Sequence, residues 1–296
     1  MYIAASNPTI EDCTFFDNRL FSSTVPGAGG LDKVSFGGGM YISSGRGPRL
    51  NRCRFIGNVA HISDTGLVFG SGDARGAGLY VSGRAELVNC LFNGNRITSF
   101  QEAVQSGGGL YLGLGTSLVA NCTFANNTAS TNASIRTFVG ATLFNCIIVS
   151  DLPSHAVFGG PVDYCLVTGG AGGMGNLDAD PDFVDVDGPD NIPGNLDDDL
   201  RLQPCSVAVD AGSLCPIGID GVDTDLDGNA RVTNGSAITS LCEAAPDVDP
   251  CAIDALIDMG AYETPRAIRS ADLDGDGDVD MDDFQLFQEQ FTGPKP

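Results

Sequence analysis

Residues 107–127, GGGLYLGLGTSLVANCTFANN, decide the fold because the chain repeats them. Residues 37–58 run GGGMYISSGRGPRLNRCRFIGN, and residues 76–95 run GAGLYVSGRAELVNCLFNGN. Each copy holds a glycine-rich triplet, an apolar residue and a tyrosine, then a cysteine with an aromatic two residues on and an asparagine five residues on. Self-similarity at such a period marks units that bury their apolar faces only against one another. Aligned on Cys13, Cys53, Cys90, Cys122, Cys146 and Cys165, the copies are spaced by 40, 37, 32, 24 and 19 residues. The position two after each cysteine holds Phe15, Phe55, Phe92, Phe124, Ile148 and Val167. The position five after holds Asn18, Asn58, Asn95, Asn127 and then Asp151.

A cysteine and its second neighbour lie on one face of a strand, so both are expected to point inward. The asparagine then turns the corner, where its amide can bond to the asparagine of the next copy. Stacked in register, these positions form ladders of sulfur, ring and amide, and the expected thiols are buried. Glycine clusters and the period-two Cys-x-Phe pattern exclude a helical solenoid and predict an all-β solenoid of parallel coils. The shorter spacings approach a bare coil. The longer ones carry excursions, at 19–36, 59–75 and 96–106, that should leave one side of the solenoid either as binding loops or as plain solvated insertions. Met1-Tyr2-Ile3 matches Met40-Tyr41-Ile42, so the chain is expected to begin inside a repeat, with upstream sequence lost; the lack of a signal peptide then does not locate the protein.

Charge divides the chain. Residues 1–170 hold 10 acids and 10 bases, whereas residues 171–296 hold 28 acids and 5 bases and carry the whole net charge of −23. This distribution argues against nucleic acid and anionic membranes as partners, and no stretch approaches a transmembrane helix. Three segments follow: coils over 1–170, an acidic closing region over 171–264 that must cover the open end, and a linker with a terminal loop over 265–296. Asp178, Asp180, Asp182, Asp185 and Asp187 in the closing region are read either as a solvated acidic surface or as a second Ca²⁺ site. Asp223, Asp225, Asp227 and Gly228 imitate a calcium loop, but Asn234 stands at its twelfth position and no helix follows, so they are assigned to the closing region.

The pattern GGGLYL…NCTFANN resembles the right-handed parallel β-helix repeats of secreted bacterial proteins. NLDADPDFVD and DDDLRLQPCSVAVDAG within 176–212, TDLDGNARV at 224–232 and IDMGAYE at 257–263 resemble the closing region of surface β-helix proteins that end in varied anchoring modules. The resemblance spans nearly the whole chain and implies a pectate-lyase-like fold and an extracellular or cell-surface address, without an agreed activity.

The sharpest site motif is ADLDGDGDVDMDDFQLFQEQF at 271–291. Asp272, Asp274 and Asp276 occupy positions 1, 3 and 5 of a twelve-residue loop, with Gly277 at 6, the carbonyl of Asp278 at 7, Asp280 at 9 and Asp283 at 12. Oxygen ligands at these offsets wrap one Ca²⁺. Phe284, Phe287 and Phe291 then fall on one face of a helix. The loop resembles a dockerin calcium motif, which implies a docking partner or a Ca²⁺-locked attachment tail; dockerins generally carry two such loops and this chain shows one. Cys205 with Cys215 and Cys242 with Cys251 bracket short proline-containing loops, and two local disulfides are expected.

Three functional readings stay open. The leading one is a secreted or surface-attached structural or adhesive protein contacting a polysaccharide or another surface component. The second is a polysaccharide lyase or glycoside hydrolase, for which Arg46, Arg49, Arg52 and Arg54 offer bases without an acidic cluster beside them, while Arg52 and Arg54 flank inward Cys53 and should point outward. The third is end-to-end self-assembly. His61, His155, Asp64, Asp73 and Asp163 form no catalytic pattern by spacing. The sequons at Asn121, Asn126, Asn132 and Asn234 are attributed to corner composition.

Overall fold

The structure is a computed structural model that describes residues 1–4, 6–22, 33–43, 46–63, 72–99, 104–129, 134–150, 159–213, 223–231 and 257–264. It is all-β, with parallel strands gathered into stacked sheets, an arrangement compatible with a parallel β-helix. Three sheets run along the stack; each of the first five copies adds one strand to each, and the sixth adds one to two of them among the described residues. Sheet A joins Tyr2–Ala4, Met40–Ser43, Leu79–Val81, Leu110–Leu112 and Ile135–Arg136. Sheet B begins with Thr9–Glu11 and Arg46–Asn51 and ends at Val162–Asp163, six strands in all. Sheet C, also of six strands, runs from Thr14–Phe16 through Arg54–Ile56 and Leu91–Asn93 to Leu166–Val167.

Register in sheet C pairs Phe15 with Phe55, Phe55 with Phe92, Phe92 with Phe124, Phe124 with Ile148 and Ile148 with Val167. The four phenylalanine rings stack at centroid distances of 4.8, 4.8 and 4.7 Å. Cys53, Cys90, Cys122, Cys146 and Cys165 are sealed in the same core, and Cys13 at the first copy is half-buried. Each fully buried aromatic side chain contributes about 2–3 kcal/mol, with about 1 kcal/mol more for each stacked pair.

Corners explain the remaining conserved spacing within the chain. The residue before every ladder cysteine, Asp12, Arg52, Asn89, Asn121, Asn145 or Tyr164, has a φ between 50° and 53°. That left-handed bend turns sheet B into sheet C, and asparagine and aspartate tolerate it better than other side chains do. The amide of Asn58 donates to Asn95 Oδ1 at 2.8 Å, and Asn95 in turn to Asn127 Oδ1 at 2.9 Å; Asn18 begins the series with a 2.9 Å bond to Asn58. Each acceptor oxygen also receives the backbone N–H of the preceding asparagine. The last glycine of each triplet is required by this ladder: a Cβ on Gly78 would stand 2.5 Å from the Gly109 carbonyl and 3.0 Å from the Asn95 amide.

The excursions are built differently from plain loops. Arg19–Ser22, Val59–Ile62 and Arg96–Ser99 form one three-stranded parallel sheet, D; Lys33–Phe36, Gly72–Arg75 and Val104–Ser106 form another, E. The two sheets enclose their own core of Ala60, Ile62, Ala74, Ala77 and Ile97, and the Ser35 hydroxyl donates to the Leu20 carbonyl between them at 3.4 Å. The copies therefore carry a fin of stacked strands. Residues 23–32, 64–71 and 100–103, which join its strands, lie outside the described residues.

Expected over the open end, the closing region also runs back along the flank. Leu177 bridges Leu166 as one further rung, with Asn176 in the cysteine position accepting the Cys165 N–H through Oδ1 at 2.9 Å, and Ala171 packs on the end of the core. Beyond it, Leu200, Leu226, Ala261 and Tyr262 cover Ile56, Leu91 and Ala125 on the outer face of sheet C. Leu202, Ala208 and Met259 cover Ile147 and Leu166. Phe183–Asp185 and Asp199–Leu202 form an antiparallel pair there. Residues Met1–Glu263 make one compact unit and Thr264–Pro296 a second. Among the described residues no helix is long and apolar enough to cross a membrane.

Candidate functional site

Sheet A carries a row of tyrosines on its outer face because the tyrosine of each repeat alternates with the inward apolar residues beside it. Tyr2, Tyr41, Tyr80 and Tyr111 stand in register. Their rings stack at 5.3, 5.0 and 5.1 Å with interplanar angles of 18°, 13° and 14°. Sheet E faces this row across the glycine corner: Phe36 stacks on Tyr80 at 4.7 Å, and Arg75 lies over both Phe36 and Tyr111. Arg75 Nε donates to Asp73 Oδ1 at 2.7 Å, and its NH1 donates to the Tyr111 hydroxyl at 2.8 Å. Burial pulls the Arg75 pKa down, but the hydrogen bond and charge of Asp73 outweigh it and the value rises. Burial pushes up the Tyr80 and Tyr111 phenols, so both stay protonated donors at neutral pH. In register with Asp73, Val34 and Val104 are 51% and 55% exposed.

A second cluster is buried between the closing region and the corner of sheets B and C. Arg231, 1% exposed, donates from NH1 to Glu263 Oε1 at 2.6 Å, from NH2 to the Gly260 carbonyl at 2.8 Å and from Nε to Asn89 Oδ1 at 3.0 Å. Asp225 accepts the N–H groups of Asp227, Asn229 and Glu263. Burial pushes Glu263 up to about 8, against the pull of Arg231 and with the charge of Asp258 adding to the rise. These groups are consumed by one another and stitch residues 223–263 to the stack.

The residues singled out by spacing fall into three sets. The ladder positions come together as described; burial pushes the Cys122 and Cys165 thiols well up, which keeps them unreactive. Of the arginines, Arg52 pairs with Asp12 at 2.7 Å, Arg54 with Asp227 at 3.2 Å and Arg49 with Glu86 at 3.0 Å. Asp73 is held by Arg75, and Asp163 accepts the Met174 N–H at 2.7 Å. His61 bonds the Thr98 hydroxyl through Nδ1 at 2.8 Å. Among the closing-region acids, Asp178 accepts the Gly169 N–H and Asp180 the Asp182 N–H. Asp182 is exposed, Asp185 stands across from Asp199, and Asp187 is half-buried. Among the described residues no three acidic, histidine or cysteine side chains converge as metal ligands. Cys205 is exposed. Its expected partner Cys215, the pair Cys242 and Cys251, and the loop Asp272, Asp274, Asp276, Asp278, Asp280 and Asp283 all lie outside the described residues.

Sequence reasoning notes the repeated tyrosine without assigning it chemistry. The signal available was its alternation with buried neighbours in every copy; the Asp73–Arg75 pair occurs in one copy and leaves no periodic trace. Compared with protein-family models, curated proteins and solved structures, the chain matches none.

Proposed function

We propose that this chain is a right-handed parallel β-helix acting as a secreted or surface-attached structural and adhesive protein, in contact with glycan along its side and binding Ca²⁺ through the loop Asp272–Asp283. The observation that carries this reading is the in-register repetition of outward side chains, which makes an extended surface of constant composition beside a stacked fin. Support also comes from the outward ionisable groups, which are spent pairwise in Asp12–Arg52, Arg49–Glu86, Arg54–Asp227 and Asp73–Arg75 and so hold the surface in shape.

The test is incubation with insoluble plant, algal and bacterial polysaccharides in Ca²⁺, reading retention together with new reducing and unsaturated ends. Retention without release is expected. Release of either kind of end would replace this reading with a lyase or a hydrolase. For the metal, chelation is expected to change residues 271–291 and leave the melting of the stack in place; global unfolding in EDTA would move the Ca²⁺ into residues 171–264.

A further inference from the structure

The glycan-contacting reading leaves the contact surface and the glycan unspecified, and the tyrosine row supplies both. Stacking covers the faces of Tyr41 and Tyr80 with neighbouring rings, so a ligand meets ring edges and hydroxyls rather than an open aromatic platform. The Tyr2 hydroxyl is bonded to the Ser43 hydroxyl and the Tyr111 hydroxyl accepts from Arg75. Among the described residues the hydroxyls of Tyr41 and Tyr80 have no hydrogen-bond partner. Tyr41 is half-buried and Tyr80 is 8% exposed, and neither hydroxyl is among the sealed, unpartnered oxygens of the described residues, so what each ring offers outward is its hydroxyl end. They are offered one strand spacing apart, on rings 5.0 Å from each other.

Beside them lies a strip whose charges cancel. Asp73 holds Arg75 through two guanidinium nitrogens, which leaves the Asp73 carboxylate as a partly exposed acceptor and neutralises the arginine beside it, while Arg136 follows Tyr111 at the far end of the row. Val34 and Val104 flank it with exposed apolar surface suited to the C–H faces of a sugar ring. An extended polysaccharide advances by one ring in about the distance that separates two strands, so successive sugars can meet successive tyrosines.

We infer that the angle between sheets A and E binds a neutral, extended glycan laid along the stack, with Tyr41 and Tyr80 hydrogen-bonding successive sugars and Asp73 accepting from their hydroxyls. This rests on the adhesive reading above. The test is retention of the full chain on cellulose, chitin and an insoluble β-1,3-glucan, with cross-linked polygalacturonate as the acidic comparison. Wild-type protein and the double variant Tyr41→Phe/Tyr80→Phe, which keeps the stacked rings, are compared after their melting curves are matched. The expected result is retention on at least one neutral polymer, weakened about tenfold in the double variant and again by Asp73→Asn. Equal retention of wild type and double variant, or retention on polygalacturonate alone, overturns this site while leaving adhesion intact. No retention on any of the four overturns both.

Discussion

The stack of repeats and the closing region solve the same problem in opposite ways. Both must satisfy buried backbone and side-chain polar groups. In the stack, like groups meet across copies: Asn58 and Asn95 each use Nδ2 and Oδ1 on the copies to both sides, and Asn127 closes the series by accepting from Asn95 and donating to the Phe92 carbonyl. Among the described residues of 178–263 no such unit recurs, and one antiparallel strand pair is supplemented by unlike partners, Arg231 with Glu263 and Asn89, Asp225 with four N–H donors, Asp227 with Arg54 and Arg201. Repetition spreads stability over many equivalent contacts, whereas the closing region concentrates it in a few that have no substitute.

The largest effect that would break this contrast is expected at Asn95→Ala. That substitution removes four buried hydrogen bonds at once, to Asn58 N and Nδ2, Asn127 Oδ1 and the Phe55 carbonyl. A loss of about 5 kcal/mol is expected by denaturant unfolding, since each stranded group costs about 1–3 kcal/mol. A loss below about 1 kcal/mol would show that the ladder is decoration on a stack held by its apolar core.

Arg231→Met comes next, at about 3 kcal/mol, the low end for a broken buried ion pair because the stranded Glu263 can take up a proton. Hydrogen exchange is expected to rise across residues 223–231 and 257–263 while sheets A, B and C keep their protection. Uniform loss of protection across the stack would merge the two regions into one cooperative whole.

A third effect is a pH dependence. Glu263 has its value raised from 4.5 to about 8 by burial, so the folded state binds this proton more tightly than the unfolded chain does. Its contribution to stability is complete below about 4.5 and is lost as pH rises through 8. Wild-type Tm is expected to fall more steeply between pH 5 and 9 than that of Glu263→Gln, which keeps an acceptor for Arg231 and removes the titration. Parallel curves would mean that Arg231 already holds the carboxylate ionised.

What the sequence discloses follows the same division. The Cys-x-Phe-x-x-Asn ladder is legible because stacking selects the same residue at the same position in each copy, and the Gly-x-Gly corner is legible for the same reason. The fin is not. Its strands RLFS, VAHI and RITS share only alternation, and their pairing depends on excursions of unequal length being brought into register by the stack beneath. The seventh rung hides because Asn176 replaces cysteine and still offers an acceptor to the N–H below it. Arg231 and Glu263 are 32 residues apart in stretches without periodicity, and Asn89 is 142 residues from Arg231, so no local pattern joins them. The tyrosine row is half legible: its spacing is in the repeat, but its chemistry depends on Asp73 and Arg75, which only the fold brings beside it.

The tyrosine row reports on its own contacts, since the chain has no tryptophan and six tyrosines, four of them Tyr2, Tyr41, Tyr80 and Tyr111. Tyrosine emission followed during titration with a soluble neutral β-glucan is therefore the most direct measurement. A saturable change in wild type that disappears in Tyr41→Phe/Tyr80→Phe is predicted. Binding of the glucan with emission unchanged would place the contact elsewhere and contradict the assignment.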